Sequence, residues 1–231
     1  MPGEPIYASR ILKLPVLVPG DAIGRVDDLV VGPPMGGTAP VLLGLVAQVG
    51  HRRVFISGSR VAHFEASGAV LTSSAIDLRP FKARVGELLV TSILGRLLGS
   101  DKVLDLSLRP RSQLYGRFGI DEVVLSPRRA LGFSARTRRV PWAQAAELFD
   151  VGEAAAEIVK LRGLHPSETA RAFQDLPDLR RGELVEALPD EDLANILEEL
   201  PELDQAEILG TLDHERAARV LEEMEPDDAA D

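Results

Sequence analysis

An α+β chain is predicted: one or more small antiparallel β-barrel modules, followed by an all-α superhelical repeat domain. Two observations carry this. Through Trp142, short runs of alternating apolar and polar residues are separated by turns rich in glycine and proline. From Leu164 onward, an apolar residue recurs every twelve positions, at Leu164, Leu176, Leu188, Leu200, Leu212 and Met224. The boundaries expected are 1–80 for a first β module, 81–145 for a second, basic and β-rich, and 146–231 for the helical repeat.

In the first module, Val16-Leu17-Val18 runs into the turn signal Pro19-Gly20-Asp21. Ile23 to Val31 then alternates apolar and polar residues. The breaker-rich stretch Gly32 to Gly37 reads as a hairpin loop; it lacks a phosphate-binding glycine pattern, and no helix start follows it. Strand-like runs follow at Val41–Val49, Arg53–Ile56 and Ala69–Thr72. In the second module the strand-like runs are Lys102–Arg109, Tyr115–Gly119, Glu122–Leu125 and Arg138–Trp142.

The repeat has a physical logic. Leu193, Ile196, Leu197 and Leu200 sit at helical spacing, and so do their equivalents in the neighbouring units. Pro177, Pro189 and Pro201 follow the repeat leucines, where proline cannot continue a helix but suits the start of the next. Acids such as Asp190-Glu191-Asp192 come next, where a helix amino terminus favours them. Each unit is therefore a helix of about nine residues and a tight turn, too short to be stable unstacked. A small residue in each unit (Ala170, Gly182, Ala194, Ala206, Ala218, Ala230) is expected to let helices approach. A helix over Trp142–Leu161 is expected to join the repeat to the β modules.

Composition excludes several classes of function. There is no cysteine, so no disulfide, thiolate metal site or cysteine nucleophile. His51, His63, His165 and His214 fall at no metal-ligand spacing, and no nucleophile motif is present, so no enzymatic activity is expected. No signal peptide or apolar run long enough to span a membrane is seen. The net charge of −10 is unevenly spread. Residues 79–142 hold thirteen lysines and arginines against five acids, whereas residues 143–231 hold seven against twenty-five. Phosphate contacts by the basic segment are conceivable, but Tyr115, Phe118, Phe133 and Trp142 are thin aromatic interleaving for a nucleic-acid binder.

Two resemblances rest on these residues. Ser9-Arg10-Ile11, Gly20-Asp21-Ala22-Ile23-Gly24-Arg25-Val26-Asp27-Asp28-Leu29, Arg53-Val54-Phe55-Ile56 and Val61 resemble a PRC-barrel domain, with Ser57 where that family usually has proline. Val140-Pro141-Trp142 stands where a second, degenerate copy would keep its late apolar-Pro strand. This resemblance implies a docking or adaptor module. From Leu164 to Asp231, the Leu-Pro-x-acid repeat and the closing Met224-Glu225-Pro226-Asp227-Asp228-Ala229-Ala230-Asp231 resemble the cytosolic N domain of MgtE-type magnesium transporters.

The second resemblance implies a non-enzymatic, magnesium-responsive regulatory region in the cytoplasm. In that family a CBS pair follows the N domain, and Mg²⁺ between the two neutralises facing acids and favours a closed state. The resemblance places the metal-facing acids on Asp227 and Asp231, four residues apart on one helical face. At the matching position of an earlier repeat helix the family can carry another acid, and this sequence has Asn195. Mg²⁺ is the cofactor implied, held weakly and shared with a CBS domain. The partners implied are the CBS pair of the same parent chain, a second copy as a homodimer, and a protein docked on the barrel. Nucleic acid and membrane insertion by this segment are not expected. Two other readings remain: a soluble adaptor, or an RNA- or ribosome-associated factor.

Overall fold

In the computed structural model, which describes residues 5–19, 21–111, 118–127, 136–162 and 164–224, the β segments run in two parallel series. The first series is β1 (Ile6–Tyr7), α1 (Ala8–Ile11), β2 (Pro15–Val18), β3 (Asp21–Val31), β4 (Leu42–Val49) and β5 (Arg52–Ser57), closed by a 3-10 turn at Gly58–Arg60. The hairpin β6 (Val61–Glu65) and β7 (Gly68–Leu71) follows. The second series is β8 (Leu88–Leu89), α2 (Val90–Ile93), β9 (Leu97–Leu98), β10 (Asp101–Pro110), β11 (Phe118–Pro127) and β12 (Arg138–Pro141), closed by a longer 3-10 segment at Trp142–Phe149. The breaker-rich stretch after Val31 does connect an antiparallel hairpin, β3 with β4.

Two sheets result, antiparallel except where β2 meets β7. One has the order β5-β4-β3-β2-β7-β6, with β8 also on β3. The other has the order β1-β10-β11-β12, with β9 also on β10. Each series thus lends its opening strand to the other's sheet: Tyr7 pairs with Ser107, and Leu89 pairs with Val30.

Local details repeat between the series. A bulge skips Asp27 in β3 and Leu104 in β10. After each short helix one residue has positive φ, Lys13 (72°) and Gly95 (87°). Their amides bond to the carbonyls of Val26 (2.7 Å) and Val103 (2.8 Å). Both series feed one core, which includes Ile11, Leu29, Leu45, Ile93, Leu106 and Leu125.

The chain divides into two compact units: Met1–Ala83 with Glu87–Asp150, and Arg84–Gly86 with Val151–Asp231. The boundary anticipated near residue 80 is crossed by the exchanged strands. The helix anticipated over Trp142–Leu161 is broken. Ala145, Leu148 and Phe149 are buried in the β core, and Gly152 takes a φ of 81° before the first long helix begins.

The second unit contains α3 (Glu153–Arg162), α4 (Pro166–Gln174), α5 (Asp178–Ala187), α6 (Asp190–Leu197), α7 (Glu202–Thr211) and α8 (His214–Glu223). Packing runs between alternate helices, α3 on α5, α4 on α6 and α6 on α8, with α3 also touching α4. Phe173, Leu184, Val185, Ile196, Leu197 and Val220 fill the core, as their spacing demands. Pro177, Pro189 and Pro201 stand at the N-caps of α5, α6 and α7 with φ of −59°. Their carbonyls accept the first intrahelical bonds, from Arg181, Leu193 and Gln205.

The small-residue expectation holds for two of the five described units. Ala170 and Ala194 are buried on α4 and α6, which pack together, but Gly182, Ala206 and Ala218 are exposed. A Cβ on Gly182 would meet nothing within 4 Å.

Candidate functional site

The acid-rich start of α6 is the densest charge cluster of the helical unit, and its carboxylates are turned to internal use. Asp190 accepts from Nε of Arg216 (3.1 Å) and Nε of Arg219 (2.9 Å). Arg216 also donates to the carbonyls of Val185 and Leu188, both at 2.7 Å. One guanidinium thus satisfies two carbonyls left open at the carboxy end of α5 and pairs with the first residue of α6. The hydrogen bond from Arg219, followed by that from Arg216, holds the Asp190 carboxyl below the usual carboxylate range, while burial opposes this.

Asp192 is taken in the same way. Arg162 approaches it through Nε (2.9 Å) and Nη2 (2.5 Å) and donates through Nη1 to the carbonyl of Val85 (2.8 Å). Glu191, between them, lies 3.6 Å from Arg84. The three-residue strip Arg84–Gly86 is thereby stitched to α3 and α6. Gly86 (φ 80°) permits this, since a Cβ there would lie 2.4 Å from Cγ2 of Val159 on α3.

Asn195 is exposed on α6, and its amide donates to the carbonyl of Glu191 one turn back (2.7 Å). Asp227 and Asp231 lie outside the described residues. Among the described residues no three metal-ligating side chains converge. Sequence reasoning flagged the acids of α6 only as helix-start residues. Their arginine partners lie one or more helices away, and no local pattern names them.

The β unit carries a second kind of site, a pair of matched carboxylates. Asp28, 2% exposed, accepts from the amides of Leu29 (2.8 Å) and Thr91 (3.1 Å) and from the Thr91 hydroxyl. Asp105 accepts from the amides of Leu106 (2.9 Å) and Ser9 (3.0 Å) and from the Ser9 hydroxyl. Each carboxylate anchors the short helix of the opposite series.

The basic segment is partly neutralised within itself. Arg109 pairs with Asp121 (2.5 Å) and Arg138 with Asp101 (2.8 Å), while Arg10 and Arg139 stand over the Tyr7 ring at 5.8 and 5.6 Å. Phe118 is buried against Phe64, and Trp142 packs on the β core. Arg117, Arg128, Arg129, Tyr115 and Phe133 lie outside the described residues. No aromatic platform for unstacked bases forms among those described.

Comparison with known families adds one finding. Residues 164–231 match the MgtE intracellular N domain. The match begins at the first repeat leucine and covers α4 to α8 together with the closing acidic motif. No curated protein and no solved structure matches the chain. No described helix is long and apolar enough to cross a membrane.

Proposed function

We propose that the helical unit is the magnesium-responsive regulatory domain of an MgtE-related protein, working at the cytoplasmic face, and that residues 1–145 are a pair of PRC-barrel-like docking modules joined to it. The match over residues 164–231 is the observation that carries this reading. Asp190 and Asp192 at the start of α6 are held in ion pairs with Arg162, Arg216 and Arg219, and it is the family resemblance that assigns the metal-sensing role to the closing motif. Asp227 and Asp231, at helical i,i+4 spacing, supply two carboxylates to a largely hydrated Mg²⁺, the ordinary style of magnesium binding by proteins. A CBS pair completes the site. Mg²⁺ then acts by favouring the conformation in which these acidic surfaces meet, with no covalent step.

A second reading, a soluble adaptor, draws support from the β unit. Its two interlocked series lie outside the family match and share one hydrophobic core, in keeping with a docking module.

Limited trypsin digestion of the full-length gene product, with and without Mg²⁺, tests the first reading. Mg²⁺ is expected to protect the acidic carboxy-terminal region, and Asp227→Asn with Asp231→Asn is expected to remove that protection. A digestion pattern indifferent to Mg²⁺ in the unmodified protein sinks the magnesium role and leaves the adaptor.

A further inference from the structure

The long strands of the two series match residue for residue. Asp28 pairs with Val46 and Val46 with Phe55, just as Asp105 pairs with Val124 and Val124 with Arg139. β5 and β12 are therefore counterparts, each at one end of its sheet. The outer edge of β5 is covered by the chain itself. Val54 bridges Pro80, the Phe81 amide donates to the Arg53 carbonyl (2.8 Å), and the Phe81 ring stacks on Phe55 with centroids 6.2 Å apart. Among the described residues β12 pairs with β11 alone. Such an edge offers backbone groups to any extended chain that comes alongside. What distinguishes it from the covered edge is charge: Arg139 stands where the first series has Phe55. Arg139 and Arg10 lie over the Tyr7 ring, and a guanidinium held flat on a ring keeps its in-plane N–H donors for a carboxylate. Arg10, Arg136 and Arg139 are all exposed, and among the described residues no carboxylate pairs with them.

We propose that the outer edge of β12 is a docking site for an extended acidic segment of a partner protein, which adds a strand there as Pro80–Phe81 does on β5. An acidic side chain of that segment meets Arg139 in the way Phe81 meets Phe55, and Arg10 and Arg136 add to the positive field. Charge and backbone together select this occupant. Residues 79–142 hold thirteen lysines and arginines against five acids, so an acidic chain is attracted. The β12 of a second copy carries the same arginines and is repelled. A nucleic acid brings phosphates but no peptide groups to extend the sheet. The proposal rests on the docking reading of the β unit and gives it an address, and it is independent of magnesium sensing.

The test uses the full chain and a fluorescent synthetic peptide in which glutamate alternates with valine, with binding read by anisotropy. This peptide is expected to bind, and a lysine–valine peptide is not. The glutamate–valine peptide with its backbone amides N-methylated keeps its charge but cannot add a strand, and it is expected to bind about tenfold more weakly. That comparison needs no altered protein. Arg139→Glu is expected to weaken binding of the unmethylated peptide about tenfold, and Arg139→Gln by less, with the thermal unfolding of both variants checked against the parent. Absence of binding to the parent overturns the proposal. Equal binding of methylated and unmethylated peptides does so too, since bulk attraction then suffices. Binding unchanged in both Arg139 variants places the peptide elsewhere on the molecule, which sinks this site and leaves the docking reading standing. Single-stranded oligothymidylate that binds more tightly than the peptide, and is lost in Arg139→Glu, overturns the proposal in favour of a nucleic acid.

Discussion

Thr91 binds Asp28 twice, through its backbone amide and through its hydroxyl, and the same two bonds run from Ser9 to Asp105. The residues belong to opposite series, so each short helix is anchored on the other series' long strand. With one backbone amide and two donors from the partner, each carboxylate is well supplied with hydrogen bonds. This lets the Asp28 side chain remain buried.

Thr91→Val is accordingly expected to cost about 1–2 kcal/mol, and Ser9→Ala a similar amount, in urea unfolding of the β unit. Asp28→Ala should cost more, about 3 kcal/mol, because it leaves the buried amide of Leu29, and the amide and hydroxyl of Thr91, without their acceptor. The two anchors share no partner, so the double variant Ser9→Ala/Thr91→Val should be additive. Strong non-additivity would mean that the anchors are coupled through the shared core.

Gly24, within the strand motif, is a point where the pairing of β3 with β4 depends on one residue. A Cβ there would lie 2.3 Å from the carbonyl oxygen of Gln48 on the paired strand. Gly24→Ala must therefore push β3 from β4, at an expected cost of about 2 kcal/mol or more. Gly86→Ala is expected to be comparably harmful in the helical unit, where positive φ and the contact with Val159 combine. A thermal melt of each variant checks both. An unchanged midpoint would show that the neighbouring backbone yields.

Much of this was legible in the sequence, for stated reasons. Alternation marked β3 and β10, and strand-like runs bounded by turn residues marked β4 and β5. The twelve-residue period marked the helices and their core leucines, and a proline after Leu176, Leu188 and Leu200 marked three of the turns. Ser9 and Asp28 could be read as motif residues, but not as halves of two reciprocal anchors. Their partners, Asp105 and Thr91, lie far along the chain, and no spacing rule links them. The short helices and β6 were missed because four or five residues carry too little periodicity. The exposed Gly182, Ala206 and Ala218 were misjudged because the repeat is regular in sequence, while helices pack on next-but-one neighbours and bury this position only on α4 and α6.

Arg216 ties three helices with one side chain, and it is only 14% exposed. Arg216→Met keeps most of its apolar stem but abandons Asp190 and the carbonyls of Val185 and Leu188. The expected loss is about 3 kcal/mol, since a partly buried carboxylate loses one of its two arginine donors and two helix-end carbonyls lose theirs. Loss of helical circular dichroism at lower urea concentration, with the β unit unaffected, is the readout. A variant as stable as the parent would show that water replaces the guanidinium.

Acidification gives the final test, through Asp190. Its carboxyl is held below the usual range, first by Arg219 and then by Arg216. A depressed folded pKa means the folded state binds the proton less readily than the unfolded chain. The stability it supplies is therefore fully present above the unfolded value, about pH 4, and drains away as pH falls through the folded value. Arg219→Gln removes the first of these causes. Arg219 is more than half exposed, so the expected loss at neutral pH is small. That difference between parent and variant should stay constant from neutral pH down to about pH 5. It should then close at lower pH, because the parent loses an interaction the variant never had. Urea unfolding followed by circular dichroism at stepped pH measures it. A gap that widens on acidification would mean that protonating Asp190 stabilises the fold, contrary to the geometry of its two arginine partners.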